Sequence, residues 1–274
     1  MTDVYGLDAA AGRWRQTAAT LAVEALSPHA AEVDVEARFP AEAMAGLARG
    51  GFYGLCLDRR YGGHGQGPAT FAAVVEELAR QCASTAMIYV MHVTAAKVIE
   101  ATATFARRDE VLHAIAAGEH LTTLAFSEQG SRSQFWAPIS KLEANGQGYQ
   151  TGAVKSWVTA AHHADSYVAS AQPPGAQSPL ESILYWLPRA QAGVQPMGRF
   201  NGMGLRGNDS APVTFEGGNR GPRQSTHRAW LRPRLHAPGD PALVQRGDGR
   251  HGARTVPGRC GGHSGPPAGG RLCP

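Results

Sequence analysis

The segment that decides the fold lies at residues 118–133, where the spacing of the apolar residues changes. It reads Gly118-Glu119-His120-Leu121-Thr122-Thr123-Leu124-Ala125-Phe126-Ser127-Glu128-Gln129-Gly130-Ser131-Arg132-Ser133. Gly118 ends a helical pattern, and the apolar and β-branched run from Leu121 to Phe126 predicts a strand. A small hydroxyl residue, an acid and a glycine turn follow. The segment therefore separates a region of helices from a region of strands.

The chain before this segment, from residue 10 to about 120, has helical periodicity. The clearest amphipathic pattern has apolar residues at i, i+3, i+4 and i+7, namely Phe71, Val74, Val75 and Leu78. Four more helices are predicted: one around Trp14 to Ala25, one from Pro40 to Gly50-Gly51, one over Ser84–Glu100 and one over Arg107–Ala117. This series predicts an all-α helical bundle over residues 1–120.

The chain after the segment has strand patterns separated by turn residues such as Asn145-Gly146 and Pro173-Pro174-Gly175. The predicted strands are Leu121–Phe126, Ile139–Glu143, Tyr149–Thr159, Ser166–Ala171, Ile183–Leu187 and Ala211–Phe215. Helices followed by strands indicate an α+β fold with two segregated domains. We therefore expect the helical bundle to be followed, over residues 121–216, by an antiparallel β-barrel or sandwich-like domain.

The composition changes after Glu216. Residues 217–274 contain thirteen Gly, ten Arg and eight Pro, but no Ile, Met, Phe or Tyr. We expect this tail to be disordered because it has too little apolar surface to offset its conformational entropy. It carries ten basic and two acidic side chains, whereas residues 1–216 carry 16 basic and 20 acidic ones. The acidic body, without a basic stripe interleaved with aromatic residues, argues against a nucleic-acid partner.

The four cysteines predict neither a metal site nor a disulfide framework. Cys56, Cys82, Cys260 and Cys273 form no Cys-x-x-Cys pair, and no Cys/His set has zinc spacing. Cys56 and Cys82 have apolar neighbours and are expected to be buried thiols, which suits a reducing cytoplasm. The N-terminus lacks the apolar core of a signal peptide, and the most apolar run, Ala83 to Ala96, is too short to span a membrane.

Two motifs resemble the acyl-CoA dehydrogenases. The octapeptide that runs from Ser127 to Gln134 resembles the family's T-E-P-G-x-G-S-D, with Arg132 in place of the second glycine. Gly152 to Ala161, which contains Trp157-Val158-Thr159, resembles the family's L-N-G-x-K-x-W-I-T-N-A. The following Asp165-Ser166-Tyr167-Val168 resembles its A-D-x-Y-V. The resemblance covers residues 10–216.

The resemblance implies a flavoprotein oxidoreductase of fatty acid metabolism, with FAD as cofactor and an acyl-CoA substrate. It implies that the main chain and hydroxyl of the first motif bind the flavin pyrimidine edge, and that Trp157 lies against the flavin with the Thr159 hydroxyl near its reactive nitrogen. The cofactor-binding residues expected on this basis are Leu124, Phe126, Ser127, Trp157, Val158 and Thr159. Ser133 is expected to bind a phosphate or pantetheine. The Arg132 side chain would either obstruct the ligand or add a cation for a phosphate.

The catalytic residue stays unassigned at this point. In the family, a carboxylate base removes the α-proton while hydride leaves the β-carbon, and that base normally comes from a C-terminal helical domain that also builds the subunit interface of homo-oligomers. We expect this domain to be missing here, through a frameshift near residue 217. A shifted frame permits a Pro-x-Asn-Leu-Leu segment like the one that follows this point in the family; the gene's nucleotide sequence would test this. The electron-transfer partner is not identified by the sequence.

Two alternatives remain for the function: a flavin-dependent monooxygenase of the same fold, or a non-catalytic pseudogene fragment. Other motifs are expected to be structural. Gly202 to Gly207 matches G-x-G-x-x-G but is followed by a strand pattern rather than a helix, so a phosphate loop is not expected. The adjacent His162 and His163 would point to opposite faces of a strand and are expected to lie in a surface turn without a metal. His92 is expected to be a packed histidine.

Overall fold

The computed structural model describes residues 5–132, 134–144, 149–199, 201–216 and the backbone of 229–231. Over these residues the first half of the chain is helical. The α-helices are α1 (Ala9–Leu21), α2 (Ala30–Val35), α3 (Ala41–Arg49), α4 (Pro68–Gln81), α5 (Ala83–Ala101) and α6 (Arg108–Ala116). Helix α1 continues as a π-helical turn over Ala22–Leu26 and a short 3₁₀ turn. The predicted helical bundle is therefore confirmed.

The strands begin directly after α6. They are β1 (Thr122–Ala125), β2 (Glu143–Ala144), β3 (Tyr149–Gln150), β4 (Gly152–Val158), β5 (Ser166–Ala171), β6 (Ile183–Pro188), β7 (Val194–Pro196), β8 (Ala211–Glu216) and β9 (Ala229–Leu231). They form a four-stranded sheet in the order β1-β5-β6-β9, a three-stranded sheet in the order β4-β8-β7, and the hairpin β2-β3. The helical region followed by sheets confirms the predicted α+β class.

The sheets differ from the prediction in three respects. β1 pairs with β5 in parallel, so the larger sheet is mixed rather than wholly antiparallel. The predicted strand Ile139–Glu143 is reduced to β2 and an isolated bridge at Lys141, because the N–H groups of Ile139 and Ser140 bind a side chain instead. The short β7, which pairs with β8, was not predicted.

The helical region and the sheets share one hydrophobic core. Buried side chains from α3 to α6 and from β1, β4, β5, β6 and β8 belong to a single cluster. Gly207 lies at the junction, where a Cβ would come within 2.2 Å of Val33 Cγ1 and 2.7 Å of the Arg38 carbonyl oxygen. The division into domains at residue 120 stays a prediction, and it marks a change of secondary structure inside one packed core.

The predicted disordered tail lies almost entirely outside the described residues. Within it, Ala229–Leu231 form β9, which pairs with β6. The disorder of the tail stays a prediction. The predicted turn at Asn145-Gly146 also lies outside the described residues.

Candidate cofactor-binding face

Two segments that are almost 30 residues apart in the sequence lie side by side in the structure. The Ser156 N–H donates to the Ser127 carbonyl oxygen at 2.8 Å, and Glu128 and Lys155 form an antiparallel bridge. The turn that follows β1 is thereby joined to the end of β4. We call the two segments, Leu124–Arg132 and Gly152–Thr159, the cofactor face.

Trp157 is exposed because β4 contains a bulge. Ala153 and Lys155 are buried, so strict alternation would also bury Trp157. Instead the register with β8 shifts between Lys155 and Val158, and Trp157 takes a φ of +58°. Trp157 is consequently 63% exposed while Val158 is buried. Trp157 is therefore not a packed core tryptophan.

A buried ion pair holds the two segments together. Lys155 donates to Glu128, and the side-chain exposures of the two residues are 0% and 2%. The Lys155 ammonium also donates to the Ser170 carbonyl oxygen of β5. On the other side, Glu128 Oε2 accepts from the N–H groups of Ile139 (2.7 Å) and Ser140 (2.9 Å). The pair is thus surrounded by hydrogen-bond partners, as a buried charge requires.

The ion pair keeps the Glu128 carboxylate charged. Burial alone would raise the pKa of Glu128, but the Lys155 charge and the hydrogen bonds from Lys155 and Ser140 outweigh it, and the net pKa lies below the ordinary value. Burial lowers the pKa of Lys155, and the attraction of Glu128 opposes this effect. A carboxylate held in this way is a poor proton acceptor, so Glu128 is not suited to general-base chemistry.

The hydroxyls of Ser127 and Thr159 are available for a ligand. Thr159 is 6% exposed, and neither hydroxyl has a hydrogen-bond partner among the described residues. Neither hydroxyl oxygen is among the buried polar atoms without a partner, so both are accessible from solvent and can meet the polar atoms of a ligand. Leu124 and Phe126 are half-buried, and the Val158 side chain points into the core. Only the main chain of Val158 can therefore contact a ligand.

Arg132 has a strained backbone. Its φ is +51°, in the left-handed region that favours glycine, and its side chain is exposed. The family motif has a glycine at this position, and glycine adopts a positive φ without steric strain. Arg132 adopts the same backbone conformation at a steric cost. Ser133, predicted to bind a phosphate or pantetheine, lies outside the described residues.

The structure assigns the predicted histidines to structural contacts. His162 Nδ1 and His163 Nδ1 lie 2.8 Å from Oδ1 and Oδ2 of Asp209. Residues 160–163 form a turn, as expected for this pair, and in this turn both histidine side chains face Asp209. His92 is fully buried and accepts from the Thr122 N–H, and desolvation, followed by repulsion from His120, lowers its pKa to about 3. His92 is thus the packed histidine that was predicted.

Other predictions had mixed outcomes. Cys82 is buried as predicted, whereas Cys56 is partly exposed. Gly207 allows the close approach to Val33 of α2 and to the Arg38 carbonyl oxygen. The Gly202–Gly207 motif is followed by strand β8, as predicted, and not by a long helix. The described residues contain no cluster of three potential metal ligands. Within the same part of the chain, no helix has the length and apolar character needed to span a membrane.

Sequence reasoning missed two features of this region. The Glu128–Lys155 pair was not predicted, although both residues stand in the quoted motifs. The signal in the sequence was a lysine at a strand position that the in–out alternation of side chains assigns to the core. An exposed aromatic pair, Phe135 and Trp136, also escaped notice, with ring centroids 5.1 Å apart in an edge-to-face arrangement. Consecutive exposed aromatic residues in a loop are a signal that could have been used.

Comparison with known proteins identifies relatives. Residues 10–119 match the family model for the acyl-CoA dehydrogenase N-terminal domain. The probable acyl-CoA dehydrogenase fadE25 of Mycobacterium leprae is 30% identical over 157 residues, which cover 57% of this chain and 40% of that protein. The probable acyl-CoA dehydrogenase YngJ of Bacillus subtilis is 26% identical over 205 residues, which cover 74% and 54%.

Solved structures share the fold. The butyryl-CoA dehydrogenase of Megasphaera elsdenii superposes with a TM-score of 0.71 at 20% sequence identity, covering 77% of this chain and 56% of that one. A structure described as the electron transferring flavoprotein of Acidaminococcus fermentans gives a TM-score of 0.72 at 23% identity, with the same coverage. The chain spans about half the length of the relatives it matches.

Proposed function

We propose that this chain is a member of the acyl-CoA dehydrogenase family, whose N-terminal domain model matches residues 10–119, and that the cofactor face binds FAD for the α,β-dehydrogenation of an acyl-CoA thioester. When bound, FAD would supply the acceptor for the hydride that leaves the β-carbon. The residues of this chain would bind and orient the flavin and the thioester.

The exposed Trp157 beside two hydroxyls without partners is the observation that carries this proposal. A large flat indole held out of the core by a bulge is suited to packing against a flavin ring. The Ser127 hydroxyl and main-chain groups of the same turn would bind the polar ring edge, and Thr159 would donate near the reactive nitrogen. Leu124, Phe126 and the main chain of Val158 complete the proposed wall.

The acyl-CoA part of the proposal rests on the resemblance and on the named relatives. Ser133 would contact a phosphate or the pantetheine of the substrate, and the neighbouring exposed Arg132 offers a cation for the same anionic group. The bound ligand would cover the indole and exclude water from the face. The electron acceptor that reoxidises the flavin stays unassigned.

We assign no catalytic base to residues 124–159. Their two acids are Glu128, which is engaged in the buried ion pair, and Glu143, which is exposed on β2. A base must reach the α-proton of the thioester, and neither carboxylate is placed on the cofactor face with its oxygens free to do so. We therefore propose that this chain binds flavin without turning over acyl-CoA by itself.

The test is a titration of the purified chain with FAD, in which the quenching of flavin fluorescence reports binding. We expect saturable binding, and Trp157→Leu should weaken it about tenfold, because an aromatic contact of about 1 kcal/mol and the packing of the ring are lost together. Trp136→Leu is the matched control, since it removes an equally large exposed indole that lies outside the cofactor face. It should change the affinity less than twofold.

A second measurement addresses turnover. Butyryl-CoA is added to the FAD-loaded chain with an artificial dye acceptor, and we expect no dye reduction above the FAD-only background. Equal FAD affinity of the wild type and Trp157→Leu would contradict the assignment of the cofactor face. Dye reduction that needs butyryl-CoA would instead contradict the proposal that this chain does not turn over acyl-CoA by itself.

A further inference from the structure

A cavity lies in the helical region, away from the cofactor face. It has a volume of about 560 Å³ and opens between α1 and the loop that connects α3 to α4. Its lining includes Arg13, Trp14, Arg59, His64 and Gln66, together with Gly50 and Gly63. The volume is within the range of cavities that hold small molecules. None of its lining residues belongs to Leu124–Arg132 or Gly152–Thr159.

The lining of this cavity is positively charged. Arg13 and Arg59 both line it, and no acidic residue does. Six other basic residues of the helical region form ion pairs with acids: Arg15, Arg38, Arg80, Lys97, Arg107 and Arg108. Among the described residues, Arg13 and Arg59 have no such partner. Two guanidinium groups without counter-ions at one cavity favour an anionic ligand, since arginine binds carboxylates and phosphates with two parallel hydrogen bonds.

The walls of the cavity include flat ring surfaces. The Trp14 indole and the His64 imidazole lie 4.5 Å apart between centroids, and Trp14 is fixed from behind by an edge-to-face contact with Phe52. Burial lowers the pKa of His64, and a hydrogen bond to the backbone of Gly51 opposes this effect, so the net shift favours the neutral imidazole. A neutral ring beside an indole suits an aromatic or similarly planar ligand.

Backbone hydrogen bonds hold the loop beneath the cavity in place without a ligand. The N–H groups of residues 64, 65 and 66 donate to the carbonyl oxygens of Gly54, Leu57 and Leu55 at 2.8–3.0 Å. Gly63 lies so close to Leu57 that a Cβ would come within 2.3 Å of its carbonyl oxygen. A preformed floor reduces the ordering cost of binding and is therefore favourable for a small ligand.

From the arginine pair, the flat rings and the preformed floor, we propose that this cavity binds a small organic anion, a carboxylate or phosphate carried on a planar ring. Arg13 and Arg59 would hold the anionic group, and Trp14 and His64 would contact the ring. Gln66 offers an amide at the same rim for a further hydrogen bond. This site is independent of flavin binding.

The test is calorimetric titration of the full chain with four probes: phenyl phosphate, benzoate, inorganic phosphate and benzyl alcohol. We expect phenyl phosphate or benzoate to bind at least tenfold more tightly than inorganic phosphate, which lacks the ring, and benzyl alcohol, which lacks the charge. The stronger of the two aromatic probes identifies the anionic group. Binding should weaken with added salt because exposed charges are screened.

The variant Arg13→Gln/Arg59→Gln should weaken binding of the preferred aromatic anion by tenfold or more. Arg49→Gln/Arg60→Gln is the matched control: it makes the same charge change on the helical region, at two arginines that do not line the cavity. It should leave the affinity within about twofold. Equal weakening by both double variants, or no binding of either aromatic anion by the wild type, would overturn the proposal. Circular dichroism checks that both variants are folded.

Discussion

The helical region and the cofactor face place their charges in opposite ways. In the helices, pairs such as Arg38 with Glu32 and Glu42 lie at the surface, at ordinary i+4 spacing or between neighbouring turns. On the cofactor face, Glu128 and Lys155 are fully enclosed and join two segments that are far apart in sequence. Surface pairs contribute little to stability because water screens them, whereas a buried pair is tightly coupled to the fold around it.

The two regions also differ in backbone regularity. The helices α3 to α6 follow their periodic patterns, and positive φ values among them are confined to the turns that end or connect them. The cofactor face has left-handed residues that are not glycine, at Arg132 and Trp157, and Ala160 follows directly after it. Strain of this kind persists only where surrounding contacts impose it, and here it presents Trp157 to solvent. The strained, irregular part of the molecule is thus the part that holds the proposed flavin site.

The largest expected effect comes from breaking the buried pair. Lys155→Met leaves the Glu128 carboxylate buried without its cation, and we expect the free energy of unfolding to fall by about 3–5 kcal/mol. Chemical denaturation of the purified variants measures it. Glu32→Gln, which breaks a surface pair, should lower the free energy of unfolding far less, because water screens the exposed charges.

The double variant Lys155→Met/Glu128→Gln sharpens this comparison. It removes both charges, and the glutamine oxygen can still accept from Ile139 and Ser140. Its loss of unfolding free energy should therefore be clearly smaller than the sum of the losses measured for Lys155→Met alone and Glu128→Gln alone. If the single Lys155 variant were as stable as the surface variant, the pair would not hold the cofactor face together.

A smaller effect is expected at the junction of the two regions. Gly207→Ala introduces a methyl group that would clash with Val33 and the Arg38 carbonyl oxygen. The free energy of unfolding should therefore fall by about 1–3 kcal/mol. Gly204→Ala is the matched control, because no atom lies within 4 Å of the position that its methyl group would occupy. Thermal denaturation of both variants compares them, and equal melting temperatures would show that the two regions are less closely packed at this junction.

The smallest expected effect is a gain. Arg132→Gly should stabilise the chain by about 1 kcal/mol, because glycine adopts a φ of +51° without steric strain. Gln134→Gly in the same loop has no positive φ to relieve and should stabilise nothing. Chemical denaturation distinguishes the two, and a loss of stability in Arg132→Gly would show that the arginine side chain contributes contacts that outweigh the strain.

Much of the fold was predictable because periodicity reports burial directly. The pattern of Phe71, Val74, Val75 and Leu78 predicted α4, since residues at that spacing share one face of a helix. The strand at Ile139 was predicted wrongly, because its amide groups bind the Glu128 carboxylate rather than a neighbouring strand. The pattern of apolar residues around Ile139 cannot show this carboxylate, because Glu128 belongs to the preceding turn.

The candidate site was only partly predictable. The motifs around Ser127 and Trp157 indicated flavin by resemblance, and the match of residues 10–119 to the acyl-CoA dehydrogenase N-terminal domain model agrees with that indication. Their arrangement depends on the hydrogen bond from Ser156 to Ser127 and on the buried ion pair beside it. Both are contacts between distant parts of the chain, which spacing within either motif does not specify.

The sequence alone determined the helical and strand regions, the acidic charge of the body and the family resemblance, because these depend on local order along the chain. Tertiary structure decided which side of β4 Trp157 occupies, since one bulge reverses the alternation that the sequence implies. It also decided that Lys155 is buried against Glu128 and that Arg13 and Arg59 line one cavity. Each of these outcomes depends on neighbours that only the folded chain brings together.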